Sequence, residues 1–146
     1  AGFDVVVCNN VLEHVSDATG IFNEVHRVLK PGGCFITKTP NLHHYMATIA
    51  RFTPTSFHRY ATKLRGRPFE DTFPTQYQAN TRKLQRALAE QNGFVVEYLE
   101  VVEGRPEYLR FSAPTYLVGL AYERLVNGLR LDGLKIVIFT VFRKPE

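Results

Sequence analysis

A strand, a helix, a turn and a second strand follow one another near the start of the chain, and this order constrains the fold more than any other feature. Residues 3–8 are mostly apolar and rich in β-branched side chains, and the polar residues Asn9 and Asn10 follow directly, as expected where a buried parallel strand ends. A helical pattern and the turn residues 30–33 lead into a second apolar run, Cys34–Thr39. This order predicts a βαβ unit.

The helix of this unit has recognisable ends. Ser16 and Asp17 are residues that cap helix N-termini, and Pro31 cannot continue a helix. The apolar residues spaced at i, i+4, i+7 and i+8 predict the side that packs on the sheet: Ile21, Val25, Val28 and Leu29. After the helix, Gly32 or Gly33 can adopt the left-handed conformation that turns the chain into the next strand.

The segments FDVVVCNNVLEHV and VLKPGG, separated by one helix and followed by FITKTPN, resemble the class I S-adenosylmethionine-dependent methyltransferases. Within that family they are most similar to the branch that includes the small-molecule O-methyltransferases of ubiquinone synthesis. The resemblance is sharp over residues 3–41 and only topological from there to residue 143. It implies a Rossmann-like α/β sheet in which the last strand is antiparallel and lies between its two predecessors. The helix before that strand would by itself favour a right-handed parallel crossover, so the antiparallel order rests on the resemblance.

The glycine-rich first loop of that family has no counterpart in this sequence, because no G-x-G occurs in the 146 residues. The acidic residue that would hold the adenosine ribose is missing as well. We therefore expect residues 1–146 to be the C-terminal half of a methyltransferase domain, which would pair with the missing N-terminal half. Its core would comprise residues 3–41 and 81–143, and residues 42–80 would form a cap inserted between the second and third strands.

The later elements follow from capping residues and periodicity. Tyr45–Phe52 is a predicted short helix. Thr81 is the predicted cap of the next helix and Gly93 its stop, with an inward side of Leu84, Ala87 and Leu88. The remaining predicted elements are a strand over Phe94–Val102, a helix over Tyr116–Leu129 with Leu117, Ala121, Leu125 and Leu129 along one side, and a last strand over Leu134–Phe142.

Ligands of open α/β sheets bind beyond the carboxyl ends of the strands, so Cys8, Asn9 and Asn10 are the candidate cofactor-binding residues. The resemblance implies that Asn9 lies against the methionine part of S-adenosylmethionine. The alternative is that both asparagines only end the strand and begin a turn. Cys8 would reach a ligand through its backbone, since no neighbouring base indicates a nucleophilic thiol. We expect Cys8 and Cys34 to remain free thiols, because they lie at different levels of the sheet.

Asn10, Glu13 and His14 are spaced at i, i+3 and i+4, so a helical turn would place them on one face. In the ubiquinone-type enzymes the matching face carries two carboxylates and a histidine that resemble a divalent-metal site. Asn10 replaces the first carboxylate here, so we predict no metal, with Glu13 and His14 as weak candidate ligands. His14 is the candidate catalytic base for a substrate hydroxyl, and a histidine packed at a helix start is the alternative.

A basic stretch follows the second strand, with five cations between Arg51 and Arg67 and no acidic residue from Asn41 to Phe69. The predicted substrate-side residues are His43, His44, Arg59, Lys63 and Arg65, which would receive an acidic acceptor. A solvated charged face is the alternative. Interleaved aromatic residues also allow a peripheral membrane contact, whereas no nucleic-acid-binding signature is present.

These features together predict an enzyme that transfers a methyl group from S-adenosylmethionine to a small-molecule or lipid-linked acceptor. The alternative is a non-catalytic Rossmann-like binding or scaffold module. A net charge of +4 is only mildly basic, and no apolar run approaches the roughly 18 residues needed to span a bilayer. We therefore expect a cytoplasmic protein.

Overall fold

The structure is a computed structural model that describes residues 2–52, 75–104, 106, 109–110 and 112–146. The strands in these ranges are β1 (Phe3–Asn9), β2 (Leu29–Pro40), β3 (Val95–Val102) and β4 (Val137–Arg143). The α-helices in these ranges are α1 (Ala18–Val28), α2 (Tyr45–Phe52), α3 (Arg82–Gln91) and α4 (Ala113–Gly128). Two short 3-10 turns span Leu12–His14 and Asp132–Leu134. The predicted α/β class is confirmed, and α2 has the predicted bounds.

The four strands form one sheet in the order β1-β2-β4-β3. β1 and β2 are parallel, and β4 is antiparallel to both β2 and β3. β4 therefore lies between β2 and β3, as the resemblance implies. The alternative, a right-handed parallel crossover from β3 to β4, is wrong. Because β1, β2 and β3 run in the same direction, their carboxyl ends meet at one side of the sheet, called here the carboxyl edge.

The second strand begins earlier than the sequence predicts, at Leu29 instead of Cys34. Phe3 pairs with Leu29, and the register then shifts before Val5 pairs with Cys34. The turn residues between these two pairs are therefore part of an irregular start of β2, and the strand does not begin with Cys34.

Two glycines make this irregular start possible. Gly32 has φ of 73°, which is the left-handed conformation predicted for one of the two. At Gly33 a Cβ atom would lie 2.9 Å from the carbonyl oxygen of Lys30 and 3.1 Å from that of Asp4. The first glycine is thus required by backbone conformation and the second by crowding.

Side-chain caps fix the N-termini of three helices. The Asp17 carboxylate accepts a hydrogen bond from the Gly20 amide at 2.8 Å and begins α1. Thr81 caps α3, as predicted, and Ser112 forms a capping box with Thr115 at α4. The capping box places the start of α4 at Ala113, ahead of the predicted Tyr116.

The core between the helices and the sheet is aromatic, and its centre is Phe22 of α1. Phe22 is fully buried, and its ring centroid lies 5.3 Å from that of Phe35, 6.1 Å from that of Phe94 and 5.1 Å from that of Phe142. Ile21, which the periodicity placed on the inner side, is 37% exposed. Phe22 therefore takes the inner position predicted for Ile21, whereas Leu29 is fully buried and Val25 packs against the core, as predicted.

The inner side of α3 also differs from the predicted set of Leu84, Ala87 and Leu88. The buried side chains are those of Gln85, Leu88 and Ala89. Gln85 can occupy the core because its amide donates to the carbonyl oxygen of Ala79 at 3.0 Å and its carbonyl accepts from the Thr140 hydroxyl. Only Leu88 was therefore predicted correctly.

The apolar side predicted for α4 exists but faces outward. Leu117, Leu125 and Leu129 are 56–62% exposed, whereas Gly119 and Val126 are buried. A Cβ atom at Gly119 would lie 2.5 Å from Cβ of Pro106, so the glycine allows this close approach. In the part of the chain that the structure describes, α4 and the other helices lack the length and apolar character needed to cross a membrane.

Both cysteines are free thiols, as predicted. Cys8 is paired with Thr37 in the β1–β2 ladder, whereas Cys34 is paired with Val5. The two sulfur atoms therefore lie at different levels of the sheet, which prevents a disulfide.

Candidate functional site

Polar residues follow each of the three strands that end at the carboxyl edge. Asn9 and Asn10 end β1, Asn41 follows β2, and Glu103 follows β3. This is the part of an open α/β sheet where ligands bind, so the candidate site is built from these residues and their neighbours.

The end of β1 exposes two amide side chains. Asn9 and Asn10 are both exposed, and the backbone N–H of Asn10 donates a 2.8 Å hydrogen bond to the carbonyl oxygen of Lys38. Cys8 is half-buried, and burial, followed by the nearby Glu13 carboxylate, raises the pKa of its thiol. The thiol therefore stays protonated, which argues against a nucleophilic role and leaves the two asparagines as the polar groups open to a ligand.

The 3-10 turn after β1 does not place three predicted residues on one face. Asn10 has φ of 53° and lies outside the turn, which spans Leu12–His14. Glu13 is buried, while the His14 side chain is 31% exposed, and His14 Nε2 lies 4.0 Å from Glu13 Oε1. The turn therefore brings together a buried carboxyl group and a partly exposed imidazole.

A buried hydrogen-bond network connects Glu13 to β2 and to the segment before α3. The Thr39 hydroxyl donates to Glu13 Oε2 at 3.1 Å and accepts from Asn80 Nδ2 at 2.7 Å. Asn80 Nδ2 also donates to the carbonyl oxygen of Pro40 at 2.8 Å. Thr39 and Asn80 are fully buried, so the network fixes one carboxylate oxygen away from water.

Backbone hydrogen bonds also join residues 75–80 to the 3-10 turn after β1 and to the segment after β2. The amides of Gln76 and Tyr77 donate to the carbonyl oxygen of Glu13 at 2.6 and 3.2 Å, and the Leu42 amide donates to that of Asn80 at 2.8 Å. The chain thus returns to the carboxyl edge before α3 begins, and its return holds the turn that carries His14.

We expect Thr39→Val to lower the free energy of unfolding by about 1–3 kcal/mol. Valine keeps the shape and the strand propensity of threonine but leaves Glu13 Oε2 and Asn80 Nδ2 without their shared partner. Urea unfolding at neutral pH measures the loss. Thr19→Val, at an exposed position of α1, is the matched control and should change stability little. Equal losses in the two variants would show that the network adds nothing.

A second buried pair lies between the ends of β2 and β3. His44 Nε2 is 3.6 Å from Glu103 Oε2, and each side chain is 3% exposed. Burial lowers the pKa of His44 to about 4. Burial is also the main cause that raises the pKa of Glu103 to about 7. Both shifts therefore disfavour charge on the pair.

Asn41 ties the end of β2 to the turn before β4. Its Nδ2 donates to the carbonyl oxygens of Gly133 and Lys135, each at 2.8 Å, and its Oδ1 accepts from the His43 amide at 3.2 Å. These bonds place the His43 side chain in solvent at the carboxyl edge, next in sequence to the buried His44.

The predicted substrate-side residues divide into three groups. His43 is exposed and His44 is buried, while Arg59, Lys63 and Arg65 lie outside the described residues. Among the residues that the structure does describe, His, Cys, Asp and Glu form no group of three that could hold a metal ion.

Sequence reasoning missed Glu103, Asn80 and Thr39. Glu103 directly follows an apolar strand, as Asn9 does, so the same rule would have placed it at the carboxyl edge. Asn80 and Thr39 carried no such signal, because their contact joins residues 41 positions apart.

The sequence family described as "Methyltransferase domain" matches residues 1–37. A ubiquinone biosynthesis O-methyltransferase of Pseudomonas aeruginosa is 46% identical over 39 residues, covering 27% of this chain and 17% of that protein. One from Burkholderia ambifaria is 38% identical over 71 residues, covering 43% of this chain and 31% of that protein. The matched parts thus span less than a third of these relatives.

Solved structures match nearly the whole chain at low identity. A cyclopropane synthase from Mycobacterium tuberculosis has a TM-score of 0.55 at 16% identity, covering 98% of this chain and 56% of that chain. An S-adenosylmethionine-dependent methyltransferase from Mesorhizobium loti has a TM-score of 0.51 at 19% identity, covering 97% of this chain and 62% of that chain. These likenesses concern the fold.

Proposed function

We propose that this chain, which matches the methyltransferase family over residues 1–37, takes part in methyl transfer from S-adenosylmethionine to a small-molecule or lipid-linked acceptor. The observation that carries the proposal is the pair of exposed asparagines at the end of β1, inside the segment that matches the methyltransferase family. The names of the ubiquinone biosynthesis relatives suggest the class of acceptor.

In this proposal Cys8, Asn9 and Asn10 line the methionine part of the cofactor. The amide side chains of Asn9 and Asn10 offer both donors and acceptors to a group that carries an ammonium and a carboxylate. Cys8 contributes backbone groups, in keeping with a thiol that stays protonated. S-adenosylmethionine, when bound, supplies the methyl group on a cationic sulfur, so no nucleophilic residue of the protein is needed.

His14 is the proposed proton acceptor for an acceptor hydroxyl. Its partly exposed ring can reach a ligand, and the Glu13 carboxyl group lies 4.0 Å from the ring nitrogen Nε2. The network of Thr39 and Asn80 would then act through Glu13 and fix the position of the base. This role applies only to an oxygen acceptor, which has a proton to lose.

The acceptor would enter from the side of His43. We propose that His43, with Arg59, Lys63 and Arg65, attracts an acidic acceptor, while His44 supports this side from below through its contact with Glu103. Residues 42–80 would then act as a cap on the core formed by residues 3–41 and 81–143. An acceptor anchored in a lipid bilayer would require this side to approach a membrane surface.

Asn9→Leu should weaken S-adenosylmethionine binding by about 1–3 kcal/mol, because leucine cannot satisfy the polar atoms of the cofactor. Calorimetry measures the affinity in a methyltransferase that contains this chain together with a glycine-rich loop. The control is Asn127→Leu, a substitution at an exposed position of α4. Unchanged affinity for S-adenosylmethionine in the Asn9 variant would mean that Asn9 does not contact the cofactor and only ends the strand.

The alternative is a binding or scaffold module without catalysis. Residues 1–146 alone should bind S-adenosylmethionine negligibly under either proposal, so the decisive measurement is made with the loop present. Methyl transfer from labelled S-adenosylmethionine to a phenolic acceptor supports the enzyme. Normal folding without any cofactor binding supports the module.

A further inference from the structure

Four side chains form a row across the sheet near its carboxyl edge. Lys38 of β2 is paired with Asn9 of β1 and with Phe139 of β4. Phe139 is in turn paired with Glu100 of β3. Residues paired across neighbouring strands direct their side chains to the same face of a sheet. The side chain of Lys38 therefore lies beside that of Asn9, the proposed cofactor contact.

The row projects from the face of the sheet opposite the aromatic core. Phe35 of β2 packs on Phe22 of α1, and Thr37 and Thr39 follow Phe35 at alternate positions and are fully buried. Side chains alternate between the two faces of a strand, so Lys38, between the two threonines, points away from α1. Lys38 is only half-buried there, which leaves its ammonium group accessible to a ligand.

The neighbouring level on the same face of the sheet is apolar or aromatic. Ile36 of β2 is paired with Val7 of β1 and with Val141 of β4, and Val141 is also paired with Tyr98 of β3. Each of these residues lies two positions from a member of the row, and therefore on the same face. Lys38 is thus the one cation of these two levels, and it lies at the level nearer the carboxyl edge.

The charge of Lys38 is not neutralised by a carboxylate in the described ranges. The ion pairs that lysine side chains make there join Lys30 to Asp4 and Lys135 to Asp132. Lys38 Nζ instead lies 5.9 Å from the ring centroid of Phe139, a cation–π distance. Glu100 is one strand beyond that ring, and its carboxylate accepts from the Tyr98 hydroxyl. A half-buried cation in such surroundings favours an anionic ligand.

The backbone holds Lys38 in a fixed position. β2 is paired with a neighbouring strand on both sides at Lys38, and the backbone N–H of Asn10 donates to the carbonyl oxygen of Lys38 at 2.8 Å. A side chain on a rigid strand loses less freedom on binding than one on a loop. Asn9 and Lys38 are therefore placed in advance to contact one ligand group together.

We propose that Lys38 is an anion-binding residue of the candidate site and that it binds a carboxylate group together with Asn9. The ammonium group would pair with the carboxylate, while the Asn9 side-chain amide would donate to the same group. The methionine part of S-adenosylmethionine carries a carboxylate, and an acidic acceptor would carry another. The assignment of Lys38 rests on the proposed function, because both of these anions belong to methyl transfer.

Lys38→Met tests the cofactor as the source of the carboxylate. Methionine is unbranched and can still pack on Phe139, but it has no charge. In a methyltransferase that contains this chain together with a glycine-rich loop, the affinity for S-adenosylmethionine should fall about tenfold or more. The affinity for methylthioadenosine, which lacks the amino acid part, should not change. Lys38→Arg should keep most of the affinity, and Lys83→Met, at an exposed position of α3, is the matched control.

A phenolic acid and its methyl ester test the acceptor as the source. If the acceptor supplies the carboxylate, Lys38→Met should leave the affinity for S-adenosylmethionine unchanged. It should then raise KM about tenfold for the acid and hardly at all for the ester. Urea unfolding shows whether the variant folds, and Lys38→Gln replaces it if it does not.

Either loss confined to the ligand with a carboxylate supports the proposal and identifies the source. Equal losses for ligands with and without a carboxylate, or no loss for any of them, would overturn it and leave Lys38 as a side chain that packs on Phe139. In that case the unmodified protein still binds S-adenosylmethionine. Absence of binding by the unmodified protein would contradict the proposed function itself, and the assignment of Lys38 with it.

Discussion

Phe22→Ala is expected to lower the free energy of unfolding by about 3–5 kcal/mol, the largest effect of any single substitution proposed for this chain. Phe22 is fully buried, and its ring makes edge-on contacts with three other phenylalanines from β2, β4 and the residue before β3. Removing the ring leaves a cavity that this packed aromatic cluster cannot close. Urea unfolding followed by circular dichroism measures the loss.

Ile21→Ala is the matched control, because it removes a neighbouring apolar side chain from the same helix. Ile21 is 37% exposed, so its loss should be well below that of Phe22. The comparison also tests which face of α1 packs on the sheet, because the apolar periodicity placed Ile21 on the inner side and the structure places Phe22 there. A larger loss for Ile21 than for Phe22 would mean that α1 is rotated from its position in the structure.

Features that depend on neighbouring residues could be predicted from the sequence. Asp17 and Thr81 begin helices because their side chains accept from amides only three residues away. Gly93, with φ of 74°, ends α3 because the left-handed conformation favours glycine. The order of the sheet needed more than local chemistry, because the helix before β4 by itself favours a parallel crossover, and only the family resemblance selected the antiparallel direction.

Features that depend on distant partners could not be predicted in this way. The polar side chain of Gln85 predicts a surface position on α3. Gln85 is nevertheless buried, because the hydroxyl of Thr140, 55 residues later, donates a hydrogen bond to its carbonyl oxygen. Glu13 likewise depends on Thr39, 26 residues later. Periodicity ranks positions by apolarity and therefore cannot detect a polar side chain whose partners make burial possible.

Single substitutions at the His44–Glu103 pair should reveal two opposite pH dependences of stability that cancel in the unmodified chain. Glu103 has a pKa of about 7 in the folded state against 4.5 for the free side chain. The folded state therefore binds its proton more tightly, and stability is lost as pH rises from 4.5 to 7. The shift corresponds to about 3 kcal/mol.

His44 acts in the opposite direction. Its pKa is about 4 in the folded state against 6.5 for the free side chain, so the unfolded state binds the proton more tightly. Stability is lost as pH falls from 6.5 to 4, again by about 3 kcal/mol. Between pH 4.5 and 6.5 the stabilisation from His44 rises while that from Glu103 falls. The pair therefore adds almost nothing to the pH dependence of the free energy of unfolding.

The free energy of unfolding should be measured from pH 4 to 8 for the unmodified chain, Glu103→Gln and His44→Asn. Relative to the unmodified chain, the Glu103 variant should gain about 3 kcal/mol between pH 4.5 and 7, because its side chain no longer ionises. The His44 variant should lose about the same amount, relative to the unmodified chain, between pH 4 and 6.5. His43→Asn, at the exposed neighbouring histidine, should give a difference that hardly changes with pH. If the free energy of unfolding depends on pH in the same way for all four proteins, burial does not control the protonation of the two groups. Opposite pH dependences for the Glu103 and His44 variants would support a folded state that keeps one proton on Glu103 and none on His44 beyond its neutral form.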